Sequence, residues 1–308
     1  MRRGDTARGS ASTIVRQARA AAGRGALGPH RYIGAMAAVL CTAWATTFVV
    51  QRVAVGVAAP VWVAALRLAV AAVVLLPLAR SLRGLGRRGL AVAGVLGVVQ
   101  QAGFVGLQVA GLRTVGAGPA AAIIYLQPIL VVLAAPRVLG ERLTGARLGG
   151  ALLGFAGVAI ISVHQASVAA PAGVLLLLGS SLAWTAGTLL TSAARQPVVA
   201  IAAGQHLVGA PLLLGAAAIV EPFPALSATL VLCVIFAGVF GSALAWTLFS
   251  ALLARGEAGV VSTWLFAVPV AAAALGVVVL GEDLSAALVV GIVLVAAAVR
   301  LATASARR

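Results

Sequence analysis

The chain has 308 residues, 62% of them hydrophobic and 9% charged, with a mean hydropathy of +1.13. A water-soluble core cannot absorb that much apolar surface without large exposed patches, so the composition is that of a polytopic helical membrane protein. The formal charge of +16 would point to nucleic acid in a soluble protein, but here the arginines sit between apolar runs and read as topology signals, so no nucleic-acid partner is expected.

Residues 1–31 carry seven arginines and one aspartate with no sustained apolar stretch. That is neither a signal peptide nor a twin-arginine leader, and it reads as a disordered cytoplasmic tail held near anionic lipid. Apolar runs follow near 32–54, 60–79, 89–110, 115–136, 146–163, 172–192, 198–219, 228–254, 257–280 and 285–303. Each is long enough to cross a hydrocarbon core of about 30 Å. The expected fold is therefore all-α and integral to the membrane, with ten transmembrane helices, short turns and no soluble domain. With the tail inside, nineteen of the 22 arginines fall on the inner side, against Arg52 and Arg113 outside and Arg67 within a span. This places both termini in the cytoplasm.

A shift of 141 residues pairs Gly118 with Gly259, Pro128 with Pro269, Glu141 with Glu282 and Gly150 with Gly291. A shift of 140 pairs Ala43-Trp44 with Ala183-Trp184. The protein thus reads as two five-helix units, 32–165 and 170–304. Because five is odd, the second unit enters the membrane from the opposite side, giving an inverted-topology repeat. The LGERL at 139–143 and LGEDL at 280–284 are then one turn, used once on each side.

These residues carry a family resemblance. AWATTF in the first helix, WVAALRLA in the second and IIYLQPIL with GERLTGARLGG resemble the ten-helix EamA-type branch of the drug/metabolite transporter superfamily. The second half repeats the pattern as AWTAGT, Gln205 near the Arg67 position, and LFAVPVAAAALGVVVLGEDL. The resemblance covers about residues 33–303. It implies a multi-pass carrier of small metabolites or drugs, commonly outward, with a central cavity lined mainly by helices 1, 3, 4, 6, 8 and 9.

Pro128 is expected about thirteen residues into helix four, in its cytoplasmic half, and Pro269 correspondingly in the outer half of helix nine. Each removes a backbone hydrogen bond and kinks its helix, as a gating hinge or as a static bend. Glu141 and Glu282 read as turn residues at the starts of helices five and ten, in favour over proton carriers. No carboxylate lies inside any span, so coupling through a membrane-buried acid is not expected. Arg67 reads as an anchor that snorkels outward or as a contact for a substrate carboxylate. His206, beside Gln205, reads first as a neutral histidine bonded between helices. Candidate substrate contacts are Trp44, Arg67, Gln101, Tyr125, Gln127, Trp184, Gln205, His206, Trp246 and Trp264, with Gln100, Gln108 and Ser242 as further polar groups at membrane depth. Aromatic walls with a few amides suit a small, partly apolar zwitterion.

Cys41 and Cys233 lie in separate apolar runs and the three histidines are far apart in sequence, so neither a metal nor another cofactor is expected. A membrane hydrolase would need buried carboxylates, a Ser/His arrangement or metal ligands, and no such motif occurs. The reading is a secondary transporter that moves a small organic solute, an amino acid or related metabolite, outward across a bacterial plasma membrane by alternating access, with the bilayer as its surroundings. A drug carrier of the same fold and, from another class, a channel or lipid-flipping accessory are the alternatives.

Overall fold

The computed structural model describes residues 29–115, 117–163, 170–280 and 285–305. The arginine-rich tail and the turn holding Glu282 lie outside the described residues. Every described element is helical, and ten helices are long and apolar enough to cross a membrane. They are α1 (Pro29–Val55), α2 (Pro60–Leu75, extended by a 3-10 segment Leu76–Gly84), α3 (Arg87–Leu96 and Phe104–Leu112, joined by a π-helical segment Gly97–Gly103), α4 (Ala117–Ile124 and Gln127–Leu139) and α5 (Gly145–Val163). The second set is α6 (Pro171–Ala194), α7 (Val198–Val220), α8 (Ala228–Phe236 and Ala245–Leu253, joined by a π-helical segment Ala237–Leu244), α9 (Ala258–Trp264 and Ala267–Leu280) and α10 (Ala286–Ser305).

Local chemistry sets many of the boundaries. Proline opens α2 and α6 at a position that needs no N–H, and Ser227 caps α8 by accepting the Leu230 N–H at 3.2 Å. Gly140 ends α4 in the left-handed region at φ 71°, the conformation glycine adopts without a Cβ penalty. Large apolar side chains such as Val73, Leu175, Ile219 and Val278 remain outward and exposed, which is stable only against lipid.

The inverted repeat is visible in how the helices break. α3 and its repeat mate α8 each carry a π segment, and α4 and α9 each break into two pieces, at Tyr125-Leu126 and Leu265-Phe266. α5 and α10 pack along each other on one flank, and α2 and α7 on the other. The α2/α7 pair rests on the π segments of α3 and α8, and the α5/α10 pair on α4 and α9. Glycines allow the close approaches. A Cβ on Gly157 would lie 3.1 Å from the Gly291 carbonyl, and one on Gly154 would lie 2.3 Å from the Phe266 ring. A Cβ on Gly150 would lie 3.0 Å from the Ala298 carbonyl, so the GALLG stretch at 150–154 is a packing surface.

Two sequence expectations need correction. Pro128 is equidistant from Ala117 and Leu139, and Pro269 from Ala258 and Leu280, so both prolines sit at mid-span rather than in opposite halves. In α4 the reason is that the helix runs on to Leu139, past the point where its apolar run was expected to stop; in α9 the helix matches the expected run, whose middle is where Pro269 falls. Glu141 does not serve the start of α5. Its carboxylate accepts the N–H groups of Ala258 at 2.6 Å and Gly259 at 3.2 Å, capping α9 of the other repeat.

Candidate functional site

Helix breaks release backbone groups, and at the middle of this bundle those groups find side chains. Pro128 has no N–H for the Ile124 carbonyl, and the Ser181 hydroxyl of α6 donates to that oxygen at 3.2 Å. In α9 the Val268 N–H turns to Leu265 O at 3.0 Å, and the thiol of Cys41 points at the Trp264 carbonyl at 3.4 Å. In the π segment of α8, Gly241 O accepts the indole N–H of Trp44 at 2.9 Å. Each break is thus held by a residue from a neighbouring helix, which makes the breaks part of the fold.

Around these breaks lies a closed aromatic cluster. Trp44 of α1 meets its repeat mate Trp184 of α6 edge to face, with ring centroids 5.9 Å apart. Trp44 also meets Trp246 at 5.4 Å and Phe249 at 5.6 Å, both on α8. Trp184 meets Phe104 of α3 at 4.9 Å and Tyr125 of α4 at 6.0 Å. These separations are those of attractive aromatic pairs, and all six rings are buried.

The polar rim of the cluster lies along α6. Thr188 donates to Trp184 O at 2.9 Å and accepts from Gln127 Nε2 at 3.1 Å. Gln100 packs against Gly187, where an added Cβ would fall 2.7 Å from its amide carbon. Gln127 Oε1, Gln100 Nε2 and Trp184 Nε1 are buried and have no partner among the described residues. Each such atom costs about 1–3 kcal/mol unless water or a ligand meets it. Aromatic faces attract apolar and cationic groups and buried amides orient polar ones, so these are the side-chain types a solute site would use.

The sequence-derived candidates therefore divide. Trp44, Tyr125, Gln127, Trp184 and Trp246 come together in the cage. Of the others, Gln101 of α3 packs on Gly209 of α7, the Gln205 carbonyl lies against Gly97, and Arg67 of α2 is within electrostatic range of His206. The Trp264 ring lies outside the aromatic cluster and is half-buried. Phe104 and Phe249 belong to the cage but were not among the candidates, because a lone phenylalanine in an apolar run looks like any lipid-facing residue. The glycines within each π segment, Gly97 and Gly103 in α3 and Gly238 and Gly241 in α8, were the available signal.

Contacts between the two repeats tie the bundle at both of its ends. On the face with Arg87, Arg142 and Arg255, Glu141 caps α9 and Arg147 of α5 pairs with Glu257 while donating to Arg142 O at 2.7 Å. Burial raises the Glu141 carboxyl above its ordinary value. The Gly259 and Ala258 N–H groups and Arg147 pull it back, and Glu257 adds to the rise. On the opposite face Arg113 of α3 pairs with Glu221 after α7, Trp62 Nε1 donates to Glu221 O at 3.0 Å, and the Trp62 ring meets Phe223 at 4.9 Å. Among the described residues no group of three or more His, Cys, Asp or Glu side chains is placed to hold a metal.

Known proteins agree with this arrangement. The EamA-like transporter family profile matches residues 32–163 and again 171–304, one copy for each repeat. A Bacillus subtilis (strain 168) protein described as "Uncharacterized transporter YvbV" is 31% identical over 207 residues, 64% of this chain and 67% of the relative. A crystal structure of a protein 24% identical superposes with a TM-score of 0.80 over 90% of this chain and 98% of the other, a likeness of fold. With two family copies, ten apolar helices and paired helix breaks around one cage, the chain belongs to the EamA-like transporter family and is a multi-pass membrane transporter.

Proposed function

We propose that the protein is a secondary transporter that exports a small organic solute, an amino acid or related metabolite, across the bacterial plasma membrane by alternating access. The observation that carries this reading is the aromatic cage at mid-span. Rings from both repeats build it, the broken helices α3, α4, α8 and α9 surround it, and repeat-to-repeat bridges tie the bundle at both of its ends. The arginine-rich face is cytoplasmic by the positive-inside rule, so the Glu141 and Arg147 contacts form the inner latch and the Arg113–Glu221 pair forms the outer one. Pro128 and Pro269 are the hinges of this motion, because their mid-span placement lets each half-helix swing while the cage stays in place. The solute is a small zwitterion with an apolar part. Its ammonium lies against the indole faces of Trp44 and Trp184, and its polar groups meet Gln127 and Gln100.

The test compares spent medium by mass spectrometry from bacteria expressing the protein, its Trp184→Phe variant at matched membrane level, and an empty vector. Accumulation of one amino acid or metabolite with the intact protein, reduced with the variant, is the expected result. Identical media in all three arms, with equal retention of supplied amino acids, would overturn export of this class.

A further inference from the structure

A second set of buried polar side chains faces the α2/α7 pair: Gln100 packs on Gly187 of α6 at the cage, whereas Gln101 packs on Gly209 of α7. Arg67 is buried on α2, neither described ion pair reaches it, and its Nε has no partner among the described residues. Facing surfaces bring Gln101 of α3 against Gly209 of α7, where an added Cβ would sit 2.3 Å from the glutamine Cβ. One turn earlier Gly97 lies against the Gln205 carbonyl, at 2.9 Å on the same measure. Gly238 of α8 lies against the Arg67 carbonyl. Both amide ends of Gln101 and of Gln205, the Nε2 of His206 and the hydroxyl of Ser242 are buried and without partners among the described residues. Among those residues the cluster thus holds one full positive charge, surplus donors and acceptors, and no carboxylate.

The tautomer of His206 is fixed by geometry. Its Nδ1 lies 2.8 Å from Ala202 O, and a carbonyl only accepts, so Nδ1 carries the hydrogen. The neutral ring therefore presents Nε2 as a bare acceptor, and that atom can donate only after gaining a proton. Of the elements packed on α7, α2 brings Arg67 within electrostatic range of His206, and its 3-10 extension brings Arg80 and Arg83, both exposed at the helix end. α3 brings the neutral Gln101, with Arg87 and Arg88 exposed at its start, and α8 brings the neutral Ser242. A proton on His206 alone would place a second cation beside Arg67 in a medium of low dielectric. An anion between the two removes that penalty.

We propose that this cluster is a binding site for one monovalent anion, a carboxylate or chloride, held by Arg67, Gln101 and Gln205, and that His206 takes up a proton when the anion binds. By linkage each species tightens the other, so anion affinity rises as pH falls, by up to about tenfold per pH unit. The site does not require the export reading.

The test follows thermal unfolding of the purified full chain in detergent. Sodium chloride or sodium acetate is titrated against sodium sulfate at matched ionic strength, at pH 8, 7 and 6. A saturable rise in Tm with chloride alone identifies an inorganic anion, and a rise with acetate alone identifies the carboxylate of a solute. A rise with both identifies one site open to either, and each of these supports the proposal. Apparent affinity should tighten roughly tenfold per pH unit downward. Arg67→Gln should lose the anion-dependent shift, whereas His206→Gln should keep the shift and lose its pH dependence. Equal Tm in all three salts would mean that the cluster holds water only, and would overturn the site. Anion binding independent of pH in the unmodified protein would overturn the role of His206.

Discussion

Glu141 accepts the Ala258 N–H at 2.6 Å across 117 residues of sequence, so a carboxylate from one repeat caps a helix of the other. The LGE turn is therefore a device for joining the two units. Its value lies in an end of α9 whose first N–H groups would otherwise be buried without partners.

Removing that cap should open the arginine-rich face. Glu141→Ala should cost about 0.5–2 kcal/mol of latch stability, the usual range for a lost helix cap. A cysteine at Ser262, introduced with Cys41 and Cys233 replaced by serine, reports the opening by thiol labelling from that face. Labelling should accelerate several-fold in the Ala variant and stay near the parent rate in Glu141→Gln, whose amide oxygen still accepts.

The pH dependence of the same reporter has a definite sign. Burial raises the Glu141 carboxyl in the latched state above its value when released. The latched state then binds more protons, so its advantage is fully present below the ordinary carboxylate value and is lost as pH rises through the raised one. Labelling should quicken over that rise, level off above it, and show no such step in Glu141→Gln.

Trp184→Ala and Trp184→Phe should separate packing from recognition. Loss of the whole ring removes its contacts with Trp44, Phe104 and Tyr125 and should cost about 3–5 kcal/mol. The phenylalanine variant keeps much of the packing but lacks the unpartnered indole N–H. Once a solute is identified, fluorescence titration should show it binding about five- to tenfold more weakly to that variant.

Gly154→Ala should destabilise the protein by about 1–3 kcal/mol, because its Cβ would meet the Phe266 ring at 2.3 Å. In a Phe266→Ala background the same change should be close to neutral. Unfolding measurements on the four proteins of that cycle give the coupling directly.

Pro128→Ala and Pro269→Ala each restore a backbone donor at mid-span. If the breaks are hinges, each variant should raise Tm or leave it unchanged and slow turnover in proteoliposomes. Unchanged turnover in both would identify static bends.

Composition and spacing determined the number of spans, the two five-helix units and the pairing of the two prolines. Hydropathy and helix length are properties of a segment, and a repeat is a property of spacing, so none of these needs a neighbour to be seen. The arginines between runs mark the helix ends for the same reason. Which faces meet was decided only in three dimensions. A membrane helix is apolar on the lipid side and on the packed side alike, so periodicity does not mark the inner face as it does in water. Trp44 and Trp184 were legible as repeat mates, but their edge-to-face meeting at 5.9 Å follows from how the two units pack. The recruitment of Phe104 and Phe249, the π segments and the packing of Gln101 on Gly209 have the same origin. Glu141 is the clearest case: its motif marked a turn, and only tertiary packing brought the N-terminus of α9 within reach of its carboxylate.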